Sequence, residues 1–276
     1  MTYSASIVLY NNELNQIARV INSVFSCKEY DFQLFIIDNS ETCHYKEYSG
    51  FSNLEYIHNP SNPGFGTAHN IAIQRSMVLG AQYHIVLNPD IYFDDNVIPQ
   101  ILNLMKSDKS IGNVMPKVYY PDGSIQFLCK LLPTPYDWIG RRFNPIKSIV
   151  DKRNEMFELR FSEYNKQMNV PYLSGCFMFL RIEALKKVGL FDENIFMYGE
   201  ETDLGRRLIQ AEYKNVFFPE VSIYHEFQKG SHKSFRLTWI GIKSAIYYFN
   251  KWGWFFDKGR EQINSNCLEE LSYFKK

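Results

Sequence analysis

The sequence has no long hydrophobic run and no excess of charge of either sign. Its apolar stretches, such as residues 172–180, reach about half of the roughly 18 residues that cross a bilayer. Lys plus Arg and Asp plus Glu each number 30, which gives a formal net charge of zero. A neutral chain does not coat nucleic acid through its overall charge. We therefore expect neither a membrane-spanning helix nor a nucleic-acid partner.

Cysteine is scarce, and its spacing suggests no pairing. The five cysteines lie at positions 27, 43, 129, 176 and 267, and no two of them have CxxC spacing. This pattern predicts neither a structural zinc site nor a disulfide framework. The first residues also lack the basic flank and the apolar stretch of a secretory signal. These absences favour a location in the reducing cytoplasm.

Several common catalytic and nucleotide-binding motifs are absent. No segment matches GxxxxGK[ST] or GxGxxG, and Gly64-Phe65-Gly66 lacks the third glycine. No serine or cysteine lies in a GxSxG setting, because Ser174-Gly175-Cys176 lacks its flanking glycine. A sugar-1-phosphate nucleotidyltransferase should carry a Gly-rich basic loop after the first strand, but residues 10–20 hold one Arg, no Lys and no Gly. These absences disfavour hydrolase and nucleotidyltransferase chemistry.

Hydrophobic residues make up 45% of the chain, which is enough for a substantial core. Short apolar strands alternate with segments of helical period in the first half. The predicted strands are 6–10, 32–37, 54–58 and 84–87, and the predicted helices are 11–24, 67–79 and 97–105. This alternation predicts a mostly parallel sheet flanked by helices, an α/β fold.

The second half has a less regular pattern. Residues 129–168 show no clean period and contain three prolines, so we interpret them as an insert. Further strands are predicted at 114–119, 170–180 and 216–218, and further helices at 183–188, 202–211 and 234–249.

Polar residues follow each of the first four predicted strands. They are Asn11, Asp38, Asn59 and the segment Asn88-Pro89-Asp90. Ligands of open α/β sheets bind beyond the carboxyl ends of the strands, so these residues mark a predicted crevice. The Asp90 carboxylate could hold Mg²⁺ or Mn²⁺ there. The same tripeptide is equally typical of a plain turn.

Three acids open the helix predicted near residue 202. One of Glu200, Glu201 and Asp203 could face the crevice as a general base. Acids in a first turn also complement the helix dipole, and Asp203 and Arg207 have the spacing of an i,i+4 pair. His225, after the last predicted strand, is either structural or a second ligand beside Asp90. These alternatives stay open at the level of single motifs.

Together these segments resemble the family 2 glycosyltransferases of the GT-A fold, in particular their bacterial rhamnosyltransferase-like branch. The resemblance runs from about Ile7 to about Ser234. Six blocks carry it, in the order of the family: Ile7-Val8-Leu9-Tyr10-Asn11, Ile36-Ile37-Asp38-Asn39-Ser40, Asn62-Pro63-Gly64-Phe65-Gly66 with Asn70, Leu87-Asn88-Pro89-Asp90, Leu173-Ser174-Gly175-Cys176-Phe177-Met178, and Phe191-Asp192-Glu193 leading into residues 196–207.

The resemblance implies a Rossmann-like half that binds a nucleotide sugar and a second half that binds an acceptor. It places Asp38 at the pyrimidine or ribose, and Asp90, with His225, at a Mg²⁺ or Mn²⁺ ion on the donor diphosphate. The donor pocket would also include Tyr10, Asn11, Asn39, Gly64, Asn70 and Asn88. The acceptor side would include Gly175, Cys176 and Glu200. The expected donor is dTDP-L-rhamnose, with a UDP-hexose or UDP-N-acetylhexosamine as the alternative.

Glu201 takes the position where the family usually has a catalytic Asp, and Asp203 is the second candidate. The base would deprotonate an acceptor hydroxyl, and a single displacement would invert the anomeric centre. We therefore expect the carboxylates of Asp38, Asp90 and Glu201 to line a common pocket. The branch implies a glycan acceptor, lipid-linked in bacterial surface polysaccharide synthesis. A related fold that binds nucleotide sugars without catalysis is the alternative.

The C-terminal segment is basic and aromatic. Residues 229–260 contain seven Lys or Arg and a single acid. We predict a catalytic domain at 1–228 and a helical extension at 229–276. Such a helix can lie on an anionic membrane surface, here the cytoplasmic face of the inner membrane, or pack on the catalytic domain with a solvated basic side.

Overall fold

The computed structural model describes residues 1–27, 29–43, 51–226 and 235–273. Its strands are β1 Tyr3–Leu9, β2 Phe32–Asp38, β3 Leu54–His58, β4 Tyr83–Leu87, β5 Ile91–Phe93, β6 Ile111–Tyr119, β7 Cys129–Lys130, β8 Met168–Asn169, β9 Tyr172–Leu173, β10 Phe177–Arg181 and β11 Lys214–His225. Its α-helices are α1 Leu14–Ser26, α2 Phe65–Val78, α3 Val97–Ser107, α4 Arg141–Phe143, α5 Lys147–Phe157, α6 Ile182–Val188, α7 Glu200–Gln210, α8 Phe235–Trp252 and α9 Lys258–Glu270. Short π- and 3₁₀-helical turns occur at Tyr136–Gly140 and Arg160–Ser162.

In the described part of the chain, nine strands form one sheet in the order β3-β2-β1-β4-β10-β6-β11-β5, with β8 paired to β11. The strands β1 to β4 are mutually parallel, and β6 and β11 run in the same direction as they do. Strands β5, β8 and β10 run the opposite way. The predicted α/β fold with a mostly parallel sheet is confirmed.

Helices cover both faces of this sheet. The largest core cluster includes Ile17 and Val20 of α1 and Ile98 and Ile101 of α3, all with no exposed surface. On the other face, apolar residues of α2, α6 and α7 form two further clusters. Strands buried on both faces explain the continuous apolar runs in the sequence.

Two histidines are buried between β1, β4 and α2. Ser6 Oγ lies 2.6 Å from His69 Nδ1 and 2.7 Å from His84 Nε2, while Ser4 Oγ lies 2.8 Å from His84 Nδ1. The serines thus satisfy polar groups that would otherwise make the core costly. Burial lowers the pKa of His84 to about 3 and lowers that of His69 well below its usual value.

The second half departs from the sequence predictions in several places. The strand predicted at 170–180 is broken at Ser174-Gly175-Cys176 into β9 and β10, and the last strand is 12 residues long rather than three. The segment 129–168, which shows no period, contains α5 and builds one wall of a cavity. Strand β5 and helix α9 were not predicted.

The C-terminal helices pack against the rest of the described chain. Arg206 of α7 makes two 2.6 Å hydrogen bonds to Asp257, which precedes α9. Tyr248 and Phe249 of α8 are buried and contact the Trp138 ring, in a tilted and an edge-to-face arrangement respectively. The predicted domain boundary at 228 and the basic residues 229–234 lie outside the described residues. Among the helices described, none combines the length and apolar character needed to span a membrane.

Candidate active site

The polar ends of the parallel strands meet at one edge of the sheet, as the sequence predicts. Asp38 lies opposite Leu9 on one side and His58 on the other. Asn59 donates from its backbone N–H to the Asp38 carbonyl at 2.7 Å and from Nδ2 to Asn39 Oδ1 at 2.8 Å. Strands β2 and β4 flank β1, so their ends are about 10 Å apart. That distance suits a ligand that spans both ends.

The Asp38 carboxylate is fully buried and held from two sides. Oδ1 accepts a 3.0 Å hydrogen bond from the Ser40 backbone, and Oδ2 accepts a 2.5 Å hydrogen bond from the Tyr56 hydroxyl. Burial, and then the hydrogen bond to Asp38, raise the pKa of Tyr56. Tyr56 therefore remains a donor and orients the carboxylate. No sequence motif marked Tyr56, since this residue lies inside the ordinary strand β3.

The chain turns sharply after β1. Asn11 has a φ of 53°, in the left-handed region that asparagine tolerates better than most residues. Its backbone N–H donates to Ser40 Oγ at 2.9 Å, which links the β1 and β2 turns. Tyr10 is 48% exposed at the same edge. Its ring can therefore contact a ligand without displacing core residues.

Gly64 and Asn70 hold the segment that leads to the acidic helix. Gly64 has a φ of 103°, and a Cβ there would lie 2.2 Å from the Phe196 carbonyl oxygen, so a larger residue does not fit. Asn70 binds both main-chain groups of Phe191, at 2.9 and 3.0 Å. Both residues thus position the segment that precedes the acidic helix, and their part in donor binding stays a prediction.

Asp90 and His225 form a close pair. Asp90 Oδ1 is buried, with His225 Nε2 3.3 Å away, and Asn88 Nδ2 lies 3.5 Å from the same nitrogen. His225 Nδ1 lies 3.0 Å from Gln126 Oε1. Burial alone lowers the pKa of His225, but Asp90 and the Cys176 thiol outweigh it and raise the pKa to about 10. The ring is therefore protonated when no cation is present.

A divalent cation would find only part of its ligand set in this pair. The described residues contain no group of three or more His, Cys, Asp or Glu side chains placed to hold a metal ion. One carboxylate oxygen and one imidazole nitrogen suit Mn²⁺ better than Mg²⁺. The buried Asp90 oxygen, which has no aligned hydrogen bond, fits a cation whose remaining ligands come from a bound phosphate and water.

Gly175 and Cys176 connect this pair to the acidic helix. The Cys176 carbonyl accepts a 2.9 Å hydrogen bond from the Asn88 backbone. A Cβ placed on Gly175 would lie 3.7 Å from the Glu201 Cβ and 3.8 Å from its Cδ. The break between β9 and β10 thus brings the Glu201 carboxylate next to the end of β4. Neither Gly175 nor Cys176 lines the cavity that Glu201 faces.

Glu201 is the acid of α7 that faces an open cavity of about 220 Å³. Its Oε1 accepts a 3.1 Å hydrogen bond from the Tyr172 hydroxyl, and its Oε2 accepts one of 3.1 Å from the Gly199 backbone. Burial, and then the charge of Glu201, raise the pKa of Tyr172, so this phenol stays a donor. Two donors hold the carboxylate. Its remaining lone pairs can still accept a hydrogen bond from a group in the cavity.

The two neighbouring acids have different surroundings. Glu200 is 3% exposed, and its Oε2 has no hydrogen-bond partner among the described residues. Burial, and then the charge of Glu201, raise the pKa of Glu200 well above its usual value. Glu200 does not line the cavity, and its predicted place on the acceptor side stays a prediction.

Asp203 is fully buried and bound on both carboxylate oxygens. Oδ2 accepts from Arg207 Nε at 2.8 Å, while Oδ1 accepts from Trp252 Nε1 at 2.8 Å and contacts Lys251 Nζ at 2.8 Å. A carboxylate in this position has no access to an acceptor hydroxyl. The structure therefore favours Glu201 over Asp203 as the base candidate and gives Asp203 a structural part.

The turn before α7 is strained and covered by an aromatic ring. Tyr198 and Gly199 have φ values of 71° and 111°, both in the left-handed region. A Cβ on Gly199 would lie 2.4 Å from Trp138 Cη2. Strained backbone often marks a functional site, because surrounding packing must maintain it. Here Trp138, from the segment of no clear period, maintains the turn that aims Glu201.

Most of the cavity wall was not predicted. It is lined by Lys130, Pro133, Asp137, Trp138, Ile139, Arg141, Arg142, Phe143, Phe157, Tyr172, Tyr198, Gly199, Glu201, Thr202, Leu237, Thr238, Gly241 and Ile242. These residues come from the irregular segment, the β9 region, α7 and α8. Only the part of the wall from Tyr198 to Thr202, which includes Glu201, belongs to a motif that the sequence analysis identified.

Comparison with known proteins identifies the family. The sequence model of "Glycosyl transferase family 2" matches residues 4–189, which is more than half of the chain. The chain therefore belongs to the family 2 glycosyltransferases, as the motifs suggested. The match covers the strand ends at Asp38 and Asp90 and the Gly175 segment, and it ends before Glu201.

Two characterised proteins are similar to this chain at low sequence identity. An N-acetylglucosaminyl-diphospho-decaprenol L-rhamnosyltransferase of Mycobacterium tuberculosis is 27% identical over 185 residues, covering 63% of this chain and 59% of that protein. The low-salt glycan biosynthesis hexosyltransferase Agl10 of Haloferax volcanii is 21% identical over 172 residues, covering 62% and 51%. This chain thus matches about half to three fifths of the length of these relatives.

Solved structures show the same fold. GalNAc-T7 with UDP, GalNAc and Mn²⁺ has a TM-score of 0.60 at 17% identity, covering 83% of this chain and 44% of that one. The mannosyltransferase PcManGT of Pyrobaculum calidifontis with GDP-Man and Mn²⁺ has a TM-score of 0.56 at 12% identity, covering 84% and 59%. At such identities the likeness concerns the fold alone.

Proposed function

We propose that the chain is an inverting glycosyltransferase that moves a sugar from a nucleotide-sugar donor to a glycan acceptor. One observation carries the proposal: the Glu201 carboxylate faces a cavity and also lies beside Gly175. The next residue, Cys176, is hydrogen-bonded to Asn88 at the end of β4. A proton acceptor and a phosphate-binding edge are the two elements that such a transfer requires.

On the donor side, the nucleoside would lie at the end of β2 and the diphosphate at the end of β4. Asp38, which is buried and bound by Ser40 and Tyr56, would hold the turn after β2 against which a base or ribose lies. Asp90 and His225 would hold a divalent cation, which neutralises charge on the leaving diphosphate when bound. His225 must lose its proton to serve as a ligand, so cation affinity should increase with pH.

On the acceptor side, Glu201 would accept the proton of the attacking hydroxyl. The oxygen forms a bond to the anomeric carbon while the bond to the diphosphate breaks on the opposite face. A single displacement of this kind inverts the configuration. Tyr172 and the Gly199 N–H fix the orientation of the carboxylate, so that it receives the proton without rearrangement.

We propose dTDP-L-rhamnose as the donor, with a UDP-hexose or UDP-N-acetylhexosamine as the alternative. The motif order of the sequence and the rhamnosyltransferase relative of M. tuberculosis support this choice. The test measures nucleoside diphosphate release from a panel of these donors with Mn²⁺ or Mg²⁺, for the native protein and for Glu201→Gln. Turnover with a rhamnose donor that requires Glu201 is expected. Nucleotide binding without turnover for any donor would favour the non-catalytic alternative.

We propose further that the acceptor is lipid-linked and that the protein binds the cytoplasmic face of the inner membrane. Aromatic side chains of the C-terminal region are exposed: Phe235 88%, Trp239 51%, Phe255 73% and Phe256 96%. Basic Arg236 and Lys243 lie in the same helix, and an apolar surface with basic neighbours suits anionic lipid.

Vesicle co-sedimentation tests the membrane contact. We expect binding to vesicles with anionic lipid, weaker binding to neutral vesicles, and loss of binding in the double variant Phe255→Ser, Phe256→Ser. The matched control is Val78→Ser, Leu79→Ser. It removes two apolar side chains at the C-terminal end of α2 that are 88% and 52% exposed. Equal binding by both double variants would contradict a specific contact.

A further inference from the structure

Lys130 places a positive charge inside the cavity that contains Glu201. It lies in β7 directly opposite Tyr172 of β9, and its Nζ is 5.4 Å from the centroid of the Tyr172 ring. Tyr172 in turn donates to Glu201 at 3.1 Å. A strand pair therefore fixes the ammonium beside the side chain that orients the base.

Two other ions of the cavity wall, Arg141 and Asp137, are paired. Arg141 Nη1 lies 3.1 Å from Glu158 Oε1 and 2.6 Å from Asn154 Oδ1. Asp137 receives two hydrogen bonds from Arg153, at 2.6 and 2.7 Å. The charge that these pairs leave in the cavity is therefore small, apart from that of Glu201.

The Lys130 ammonium has neither a hydrogen-bond partner nor an ion-pair partner in the part of the chain that the structure describes. Its side chain is only partly exposed, and burial lowers its pKa. The Tyr172 ring and the charges of Glu158 and Glu201 offset only part of the cost of desolvating this ammonium, and a bound anion would offset more of it. Arg142, whose Nη2 donates to Thr238 Oγ1 at 2.7 Å, adds a second cation to the same wall.

We propose that the cavity binds its acceptor through a phosphate or diphosphate group that contacts Lys130, with the sugar against the Tyr172 and Tyr198 rings and its hydroxyl at Glu201. This inference rests on the proposed function and specifies its acceptor class. The aromatic wall suits the faces of a sugar ring, and the two cations Lys130 and Arg142 on one wall suit a group that carries more than one negative charge. Lys130 would thus select acceptors and leave the donor side unaffected.

Octyl diphosphate, an anion with a short alkyl chain, is the direct probe. Its binding is measured by calorimetry at low ionic strength for the native protein and for Lys130→Gln and Lys130→Met, which keep most of the side-chain volume. We expect both substitutions to weaken binding at least tenfold. Lys106→Gln is the matched control, because Lys106 also lies over a tyrosine, Tyr30 at 5.1 Å, on the surface. It should bind like the native protein.

The donor side could also bind a diphosphate, so Asp90→Asn is measured in parallel. Retained binding in Asp90→Asn together with loss in the Lys130 variants supports the proposal. Unchanged binding in the Lys130 variants, loss only in Asp90→Asn, or no binding to the native protein overturns it. Nucleotide binding by the Lys130 variants is measured separately, so failure of the donor site and failure of the anion site remain distinguishable.

Two further arms identify the source of the phosphate. A lipid-linked acceptor predicts that octyl diphosphate binds at least tenfold more tightly than inorganic pyrophosphate, because the alkyl chain adds apolar contact. A soluble sugar phosphate predicts equal affinity for the two. Neutral octyl glucoside should bind weakly and without dependence on Lys130, and binding as tight as that of octyl diphosphate would contradict anion recognition.

Discussion

Trp252 donates its indole N–H to Oδ1 of Asp203 across 2.8 Å, which joins the C-terminal helix α8 to the acidic helix α7. The neighbouring Lys251 contacts the same oxygen at 2.8 Å. The three acids of α7 therefore have different surroundings: Asp203 is bound, Glu200 is buried with a raised pKa, and Glu201 faces the cavity. This division could not be read from spacing, since all three lie within one turn of a helix.

Glu201→Gln should abolish most of the transfer reaction. The amide keeps the shape of the side chain but cannot accept the hydroxyl proton, so we expect kcat to fall about 10²–10⁴-fold. The donor KM should change little, because Glu201 lies away from the nucleotide edge. Steady-state kinetics with a saturating donor and acceptor measure this effect. A kcat within fivefold of the native value would show that the base lies elsewhere.

Asp203→Asn should reduce stability more than it affects the chemistry. It removes the charge between Arg207 and Lys251, but both cations keep other partners, so we expect a loss of about 2–3 kcal/mol in the free energy of unfolding. Urea denaturation measures it. Asp192→Asn is the control, because Asp192 also binds Lys251 but is partly exposed, and its loss should stay below about 1 kcal/mol.

Glu200→Gln should gain stability relative to the native protein as the pH rises. The folded chain keeps Glu200 protonated above the pKa of the unfolded state, so native stability declines as the pH increases beyond about 4.5. The amide is neutral and nearly isosteric, which removes that dependence. The difference in Tm between the variant and the native protein, measured at pH 5 and pH 8, should therefore increase. A constant difference would contradict a buried neutral acid.

The buried pair His69 and His84 should make the fold sensitive to acid. Both pKa values are lowered by burial, so the unfolded chain takes up protons that the folded chain does not as the pH falls below about 6.5. Each histidine then costs about 1.4 kcal/mol at pH 5.5. Urea denaturation at pH 7.5 and 5.5 measures the loss, and His84→Gln should show a clearly smaller decline over the same range. An equal decline would show that His84 is not responsible.

The parallel half of the sheet was predictable because its strands are buried on both faces and its turns are polar. Asp38 and Asp90 follow apolar runs, and parallel strands bring their carboxyl ends to one edge regardless of detail. A strand was predicted at 170–180, but the antiparallel direction of β10 and its place between β4 and β6 were not predictable. Its pairing partners lie far away in sequence. That strand is what brings Gly175 next to Glu201.

The cavity wall was not predictable for a related reason. Lys130 and Tyr172 face each other only because two short strands pair across 41 intervening positions, and neither segment shows a period. Trp138 lies over Gly199 by the same kind of long-range packing. Short pieces without periodicity acquire their conformation from tertiary contacts, which local propensity does not describe.

The sequence by itself determined the family, the polar ends of the parallel strands and the short list of acids, because these depend on local burial patterns and motif order. Only the tertiary structure decided which acid is open, which is bound and which is neutral. Those properties depend on desolvation and on partners distant in the chain, such as Trp252 for Asp203 and Tyr172 for Glu201.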